Sequence, residues 1–271
     1  MRNNIIVIIL SVFVSLGLFL WFFSSKTEDF GLNFFTEMLG VVVTVFIVDR
    51  IIKKREETKN IPIKLAIYED VRLYASRYIK FWTDTYRQSV PEEDPETIED
   101  FFSANGMTKI LNNLYMDAEP NVIPSRKWWD WVTQNAKEFK DTGDKIIDRH
   151  SSNLEPMVFG YVHQLAESDF NNFLLQIGAL RQSDILTNFP RVPILANYSL
   201  KPKEEDFKAI LGLIDWCNET YAKLNKHSKS IKKVSEYIPF KDKKLPPKSM
   251  IPSLVFKEQI ENQKKARNQN K

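Results

Sequence analysis

Residues 33–57 read NFFTEMLGVVVTVFIVDRIIKKREE, an apolar stretch with Glu37 near one end and Asp49 and Arg50 near the other. From Phe34 to Ile52 its length approaches the ~20 residues that carry a helix across a hydrocarbon layer. Its charges sit where such a helix would leave that layer, which limits their cost. Just upstream, the run IIVIILSVFVSLGLFLWFF from Ile5 to Phe23 holds 19 residues without a charge. Both stretches are predicted to span a membrane, at about 5–23 and 34–52. A secretory signal is the competing reading of the first, since Arg2 precedes it and Ser24–Ser25 follows. The run exceeds the usual ~7–15-residue apolar core, however, and lacks a small-residue cleavage motif.

Flanking charge sets the expected orientation. Between the spans, SSKTEDFGLN offers only Lys26, whereas Arg50, Lys53, Lys54, Arg55 and Lys59 follow the second. Both termini are therefore expected on the cytoplasmic side, in a multi-pass arrangement with a short external turn. The expected organisation is a transmembrane hairpin over 1–57, a helical cytosolic domain over 58–240 and a basic, proline-containing tail over 241–271. At 271 residues the chain has room for one membrane module and one modest soluble domain. A single cysteine, Cys217, fits a reducing compartment and excludes both a disulfide framework and a cysteine-rich zinc site. The net charge of +3 is too small to define a partner, but its distribution is uneven. PEEDPETIEDFF at 91–102 is acidic and reads as a solvated loop and helix start, while the tail is strongly basic and reads either as a flexible, disordered segment or as one that lies against anionic lipid or nucleic acid.

The expected fold class is all-α. Glycine is scarce, at eight residues, and apolar positions recur at helical spacing while no β-type alternation persists. Pro62 is expected to interrupt the helix or start a new one. Beyond it Leu65, Tyr68, Val71, Ala75, Tyr78, Ile79, Trp82 and Tyr86 share a face. Short helices are predicted around 95–102 and 108–116. A long amphipathic helix should follow, with Ser125 as cap and Trp128, Val132, Ala136, Phe139, Ile146 and His150 on one face. Met157, Tyr161 and Leu165, then Phe170, Phe173, Leu174 and Ile177, continue the pattern. After the loop NFPRVPILANYSLKP, a last helix carries Phe207, Ile210, Leu211, Ile214, Cys217, Tyr221 and Leu224.

Chemistry-bearing motifs are absent: no nucleophile elbow, phosphate loop, H-E-x-x-H pair or dinucleotide fingerprint occurs. No catalytic, cofactor-binding or metal-binding residue is assigned, and the chain is expected not to be an enzyme; a scattered active site remains the third reading. His150 falls on an apolar face and reads as a packed, hydrogen-bonded residue. His163 and Glu167 stand four apart with no third ligand at a telling spacing. His227 reads as surface, Cys217 as a small buried hydrophobe. In WWDW, Trp128 and either Trp131 or Val132 are expected to face the core.

Within the first span Ser11 and Ser15 form a small-xxx-small pair, matched in depth by Gly40 and Thr44 in the second. Such pairs let helices approach where lipid supplies no hydrophobic drive, within the hairpin or between copies. Glu37, Gly40, Thr44 and Val48 make a weakly polar stripe that suits a conduction path. Glu37 also fits the bland reading of an acid in the first turn of a helix, near water. At the inner end Arg50, Lys53, Lys54 and Arg55 are juxtamembrane anchors for anionic lipid, with Asp49 placed to pair with Lys53.

The hairpin with FTEMLGVVVTVFIVDRIIKKREE at 35–57, followed by a helical domain, resembles the two-transmembrane effectors of retron anti-phage systems. The segment-level match covers 35–57; the remainder is similar in architecture and length only. The resemblance implies a toxin-like membrane effector of abortive infection, partnered by a reverse transcriptase and its RNA–DNA product as cytosolic inhibitor or sensor. Two helices cannot enclose a water path, so such an effector must form a homo-oligomer. The alternative is a membrane-anchored helical scaffold that binds a cytosolic partner.

Overall fold

The computed structural model describes residues 12–16, 18–19, 21, 28–92, 95–228 and 230–234. Among them the chain is all-α, and β-type pairing is limited to one isolated bridge between Tyr115 and Ile194. Helical backbone at 12–16, 18–19 and 21 precedes α1 (Glu28–Ser89), α2 (Ile98–Phe101), α3 (Ala104–Asn113), α4 (Trp128–His150), α5 (Pro156–Glu167) and α6 (Asp169–Thr187). A 3-10 turn (Leu195–Asn197) and α7 (Glu204–Leu224) follow. The chain divides into two compact units, Met1–Pro62 and Ile63–Lys271. The predicted tail over 241–271 lies outside the described residues.

Among the described residues, no helix is long and apolar enough to cross a membrane. Between Glu37 and Asp49 only the eleven residues Met38 to Val48 are free of charge, about 16 Å of helix at 1.5 Å per residue. The expected break at Pro62 does not occur, because Pro62 lies inside α1. A proline removes one backbone hydrogen bond and crowds the preceding turn, yet α1 runs for 62 residues. The lost bond is a local cost that the turns on either side absorb.

In the C-terminal unit the distal half of α1 is the central element. Tyr68, Val71, Ala75, Tyr78, Ile79, Trp82 and Tyr86 are buried as their spacing predicts, and so are Tyr74, Phe81, Arg72 and Thr85. Burial thus extends nearly all the way round; Leu73, Arg77 and Lys80 mark the one exposed stripe. Aromatic edges knit α1 to its neighbours, with Tyr78 5.0 Å and Phe81 5.6 Å from Phe139 of α4, and Trp82 5.4 Å from Phe170 of α6. Such pairs add ~0.5–1.5 kcal/mol each beyond area burial.

Around this axis α4 packs against α5 and α6, and α5 against α7. A Cβ on Gly143 would come within 2.8 Å of the Ala166 Cβ, so glycine sets how closely α4 and α5 approach. Asn171, buried at the start of α6, donates to the carbonyls of Ala136 at 3.3 Å and Ala166 at 3.1 Å, joining three helices through one side chain. Helix starts carry side-chain acceptors for otherwise orphaned amides. Thr97 accepts from Asp100 N at 3.1 Å, Ser103 from Gly106 N at 3.2 Å and Ser168 from Asn171 N at 3.1 Å. The expected Ser125 cap is not formed: Lys127 occupies the N-cap of α4 without a side-chain bond, and Ser125 Oγ instead donates to Glu119 at 2.5 Å.

Candidate functional site

Apart from Ser11, the residues singled out in the N-terminal unit lie on α1 and the helical segment before it. Valine, isoleucine and phenylalanine dominate 41–48, and all but Val42 are exposed. Val45, Phe46, Ile47 and Val48 have relative exposures of 42, 53, 53 and 46%. Successive residues advance about 100° round a helix, so this run presents apolar side chains in every direction. A helix apolar on all sides requires an apolar surrounding.

The hydroxyls of Thr44, inside this girdle, and Thr36, ahead of it, are satisfied by their own helix. Thr44 Oγ1 donates to Gly40 O at 2.8 Å, and Thr36 Oγ1 to Leu32 O at 3.0 Å. Backbone capture of the Thr44 hydroxyl leaves the Glu37, Gly40, Thr44, Val48 stripe less polar than its composition implies. Glu37 is exposed. A Cβ built on Gly40 meets nothing within 4 Å, so that face is open in the single chain. Ser15 is helical and exposed, while Ser11 lies outside the described residues.

Where the two apolar stretches touch, rings make the contact. Phe13 lies 6.3 Å from Phe34 edge-on, and Trp21 6.1 Å from Phe35, stacked. The small-residue pattern did not point to these four residues.

Below the girdle Arg50, Lys54, Arg55 and Lys59 are exposed, and Ile51, Lys54, Arg55 and Lys59 line an open hollow of about 500 Å³. The side chains of Asp49 and Lys53, and with them the expected pair, lie outside the described ones. Near an anionic lipid surface each such cation is worth about 1 kcal/mol.

No protein-family model matches the chain, and comparison with curated proteins and with solved structures gives no significant match.

In the helical unit the residues weighed for chemistry have these surroundings. Cys217 is fully buried, and loss of hydration pushes its thiol up to about 12, which removes nucleophilic thiolate at neutral pH. Burial likewise raises Tyr68, whose hydroxyl donates to Lys232 O at 2.5 Å. His150 is only partly in the core: its Nε2 lies 2.9 Å from Asp70 Oδ2, a partner 80 positions away. His163 stacks on Phe159 at 6.1 Å, and Glu167 is engaged by Lys140. Among the described residues, no group of three or more His, Cys, Asp or Glu side chains converges as a metal site would require.

In WWDW, Trp128 and Val132 are buried as expected, and Trp129, not Trp131, is the second core tryptophan. Its Nε1 donates to Asp117 at 2.7 Å, Arg181 pairs with the same carboxylate at 3.1 Å, and the guanidinium lies 5.5 Å over the Trp129 ring. Tyr198 packs edge-on to Trp129 at 4.7 Å, and burial beside Asp184 pushes its hydroxyl up to about 12. This network fastens the loops at 114–127 and 188–200 to the helices.

Proposed function

We propose that the chain is a non-enzymatic membrane effector of a retron-type abortive-infection system. Its N-terminal two-helix hairpin spans the bacterial inner membrane with both termini cytoplasmic. It homo-oligomerises and permeabilises or depolarises the membrane when released from inhibition by a reverse transcriptase with its RNA–DNA product.

The observation that carries the reading is the exposed, all-round apolar girdle over 41–48. Exposed apolar surface of this continuity in water is an association site or an aggregation hazard, and lipid removes the conflict. The exposed cations at 50–59 lie at one end of the girdle, as cytoplasmic anchors do. Extending the girdle to Leu32 places one charge, Glu37, within 17 residues, about 25 Å of helix. That length suits a bilayer core of ~30 Å only with local thinning and with Glu37 reaching toward the headgroups. The open face at Gly40 is available to a second copy, and close packing of small residues is how membrane helices associate.

Inducible expression in bacteria, followed by membrane potential and entry of an impermeant dye, tests the reading, with Glu37→Ala and a version carrying an unrelated hairpin alongside. Rapid depolarisation by the native chain, lost with the unrelated hairpin, is expected. Full toxicity after the hairpin swap would contradict it.

A further inference from the structure

On the helical unit, α1 and α4 leave a hollow of about 150 Å³ between them, lined by Asp70, Leu73, Arg77, Thr142, Lys145 and Arg149 over the buried side chain of Ile146. Three cationic side chains converge there from two helices. Lys145 and Arg149 stand four apart on α4, a spacing at which like charges face each other and repel.

Asp70 is the carboxylate that lines the hollow; Glu138 and Asp144 stand on α4 outside its lining, and each has a partner. Asp70 is held by His150 at 2.9 Å and Glu138 by Arg77 at 3.0 Å, while Asp144 faces Lys140 at 3.6 Å. No ion pair is formed by Lys145 or Arg149 among the described residues, although Asp141 and Asp148 lie on the same helix. The Thr142 hydroxyl adds a neutral donor at the same edge.

We propose that this hollow is a binding site for the terminal phosphate of a phosphomonoester. Such a group carries close to two negative charges and three acceptor oxygens at neutral pH. Arg149 supplies a bidentate guanidinium fork and Lys145 a point charge, while Arg77, bonded to Glu138 through Nη1 at 3.0 Å, adds its remaining N–H groups. Size fixes how much of the ligand enters. A space of about 150 Å³ holds roughly five waters at ~30 Å³ each. It falls below the ~300 Å³ at which pockets begin to enclose a whole small molecule. Only the phosphate is therefore held, and the rest of the ligand stays outside. The phosphomonoester is supplied either by a soluble phosphorylated molecule or by a lipid headgroup of the phosphatidic-acid type. The site belongs to the helical unit alone and holds whether or not the N-terminal helices enter lipid.

The test is calorimetric titration of inorganic phosphate into the full chain in zwitterionic detergent, with chloride at matched ionic strength as reference. Saturable binding of one phosphate per chain is expected, weakened at least ten-fold in Lys145→Gln/Arg149→Gln. Both side chains are exposed, and an unchanged unfolding temperature without phosphate verifies that the variant folds. Absence of saturable binding, or equal binding by chain and variant, overturns the proposal. Displacement of phosphate by a nucleoside monophosphate identifies a soluble source, and displacement by micellar phosphatidic acid with no effect of phosphatidylglycerol identifies a lipid; either result upholds the site.

Discussion

The two halves of α1 use the same residue types for opposite ends. Val41, Val43, Val45 and Ile47 are exposed, whereas Ile67, Val71, Ala75 and Ile79 are buried among aromatic rings. Beyond Pro62 the helix is written for a protein interior, with Arg77 and Lys80 keeping one stripe in water. Before Pro62 no polar stripe interrupts 41–48 except Thr44, whose hydroxyl is turned back on the backbone. The comparison teaches that apolar content alone does not define a core. The distal half is buried within the chain, whereas 41–48 is exposed among the described residues apart from the half-buried Val42.

Breaking the distal half should have the largest effect. Trp82 is fully buried, so Trp82→Ala is expected to cost about 3–5 kcal/mol of stability in the helical unit, measured by denaturant unfolding, with membrane integration unchanged. The reciprocal change is Val45→Arg. It should disfavour insertion by about 2.5–3.5 kcal/mol, read as loss from the membrane fraction, while the unfolding midpoint of the helical unit stays put. If both variants impaired both readouts equally, the division of α1 into two environments would fail.

Smaller changes sharpen the comparison. Gly40→Leu fills an open face and should reduce cross-linked oligomers in membranes by loss of close packing, a smaller effect than either change above; undiminished cross-linking removes that contact. Cys217 should resist a thiol reagent until the unit unfolds. Its folded-state pKa lies above the ordinary value of 9.0, at about 12. The stability it contributes is therefore whole below pH 9 and is lost as pH rises toward 12. Thiol labelling against pH, compared with unfolding, checks both statements. Smallest of all, Thr44→Val should shift oligomer formation by no more than the ~0.6 kcal/mol average of an interhelical hydrogen bond in membranes, because its hydroxyl is already bonded to Gly40 O at 2.8 Å.

Much of the helical unit was legible because periodicity is a local signal. The face from Tyr68 to Tyr86 and the last helix at Glu204–Leu224 both follow their spacing. Where the pattern misled, the reason was phase or a distant partner. Pro156 opens α5 at its first position, and the buried residues are Val158, Val162, Leu165 and Ala166, leaving Met157 exposed. Phe173 is half-buried for the same kind of reason, since the start of α6 is turned by Asn171 toward α4 and α5. Pro62 was expected to break α1 because its penalty is local, while the helix is held by turns on both sides. The His150–Asp70 and Arg181–Asp117 pairs join positions 80 and 64 residues apart, a separation that no local pattern encodes. In the candidate site, the apolar run and its basic end were plain in the sequence. The ring contacts of Phe13 and Trp21 depend on how two segments meet and were not.

The central claim is that the girdle over 41–48 lies in lipid. Cys217 is buried, so a spin label placed by Val45→Cys in the full chain reports from one position once reconstituted into liposomes. Power-saturation measurements should find the label more accessible to oxygen than to a water-soluble nickel chelate, with the order reversed for a label at exposed Ala222→Cys. Greater accessibility of the Val45 position to the nickel chelate, in vesicles that retain the protein, would contradict the account.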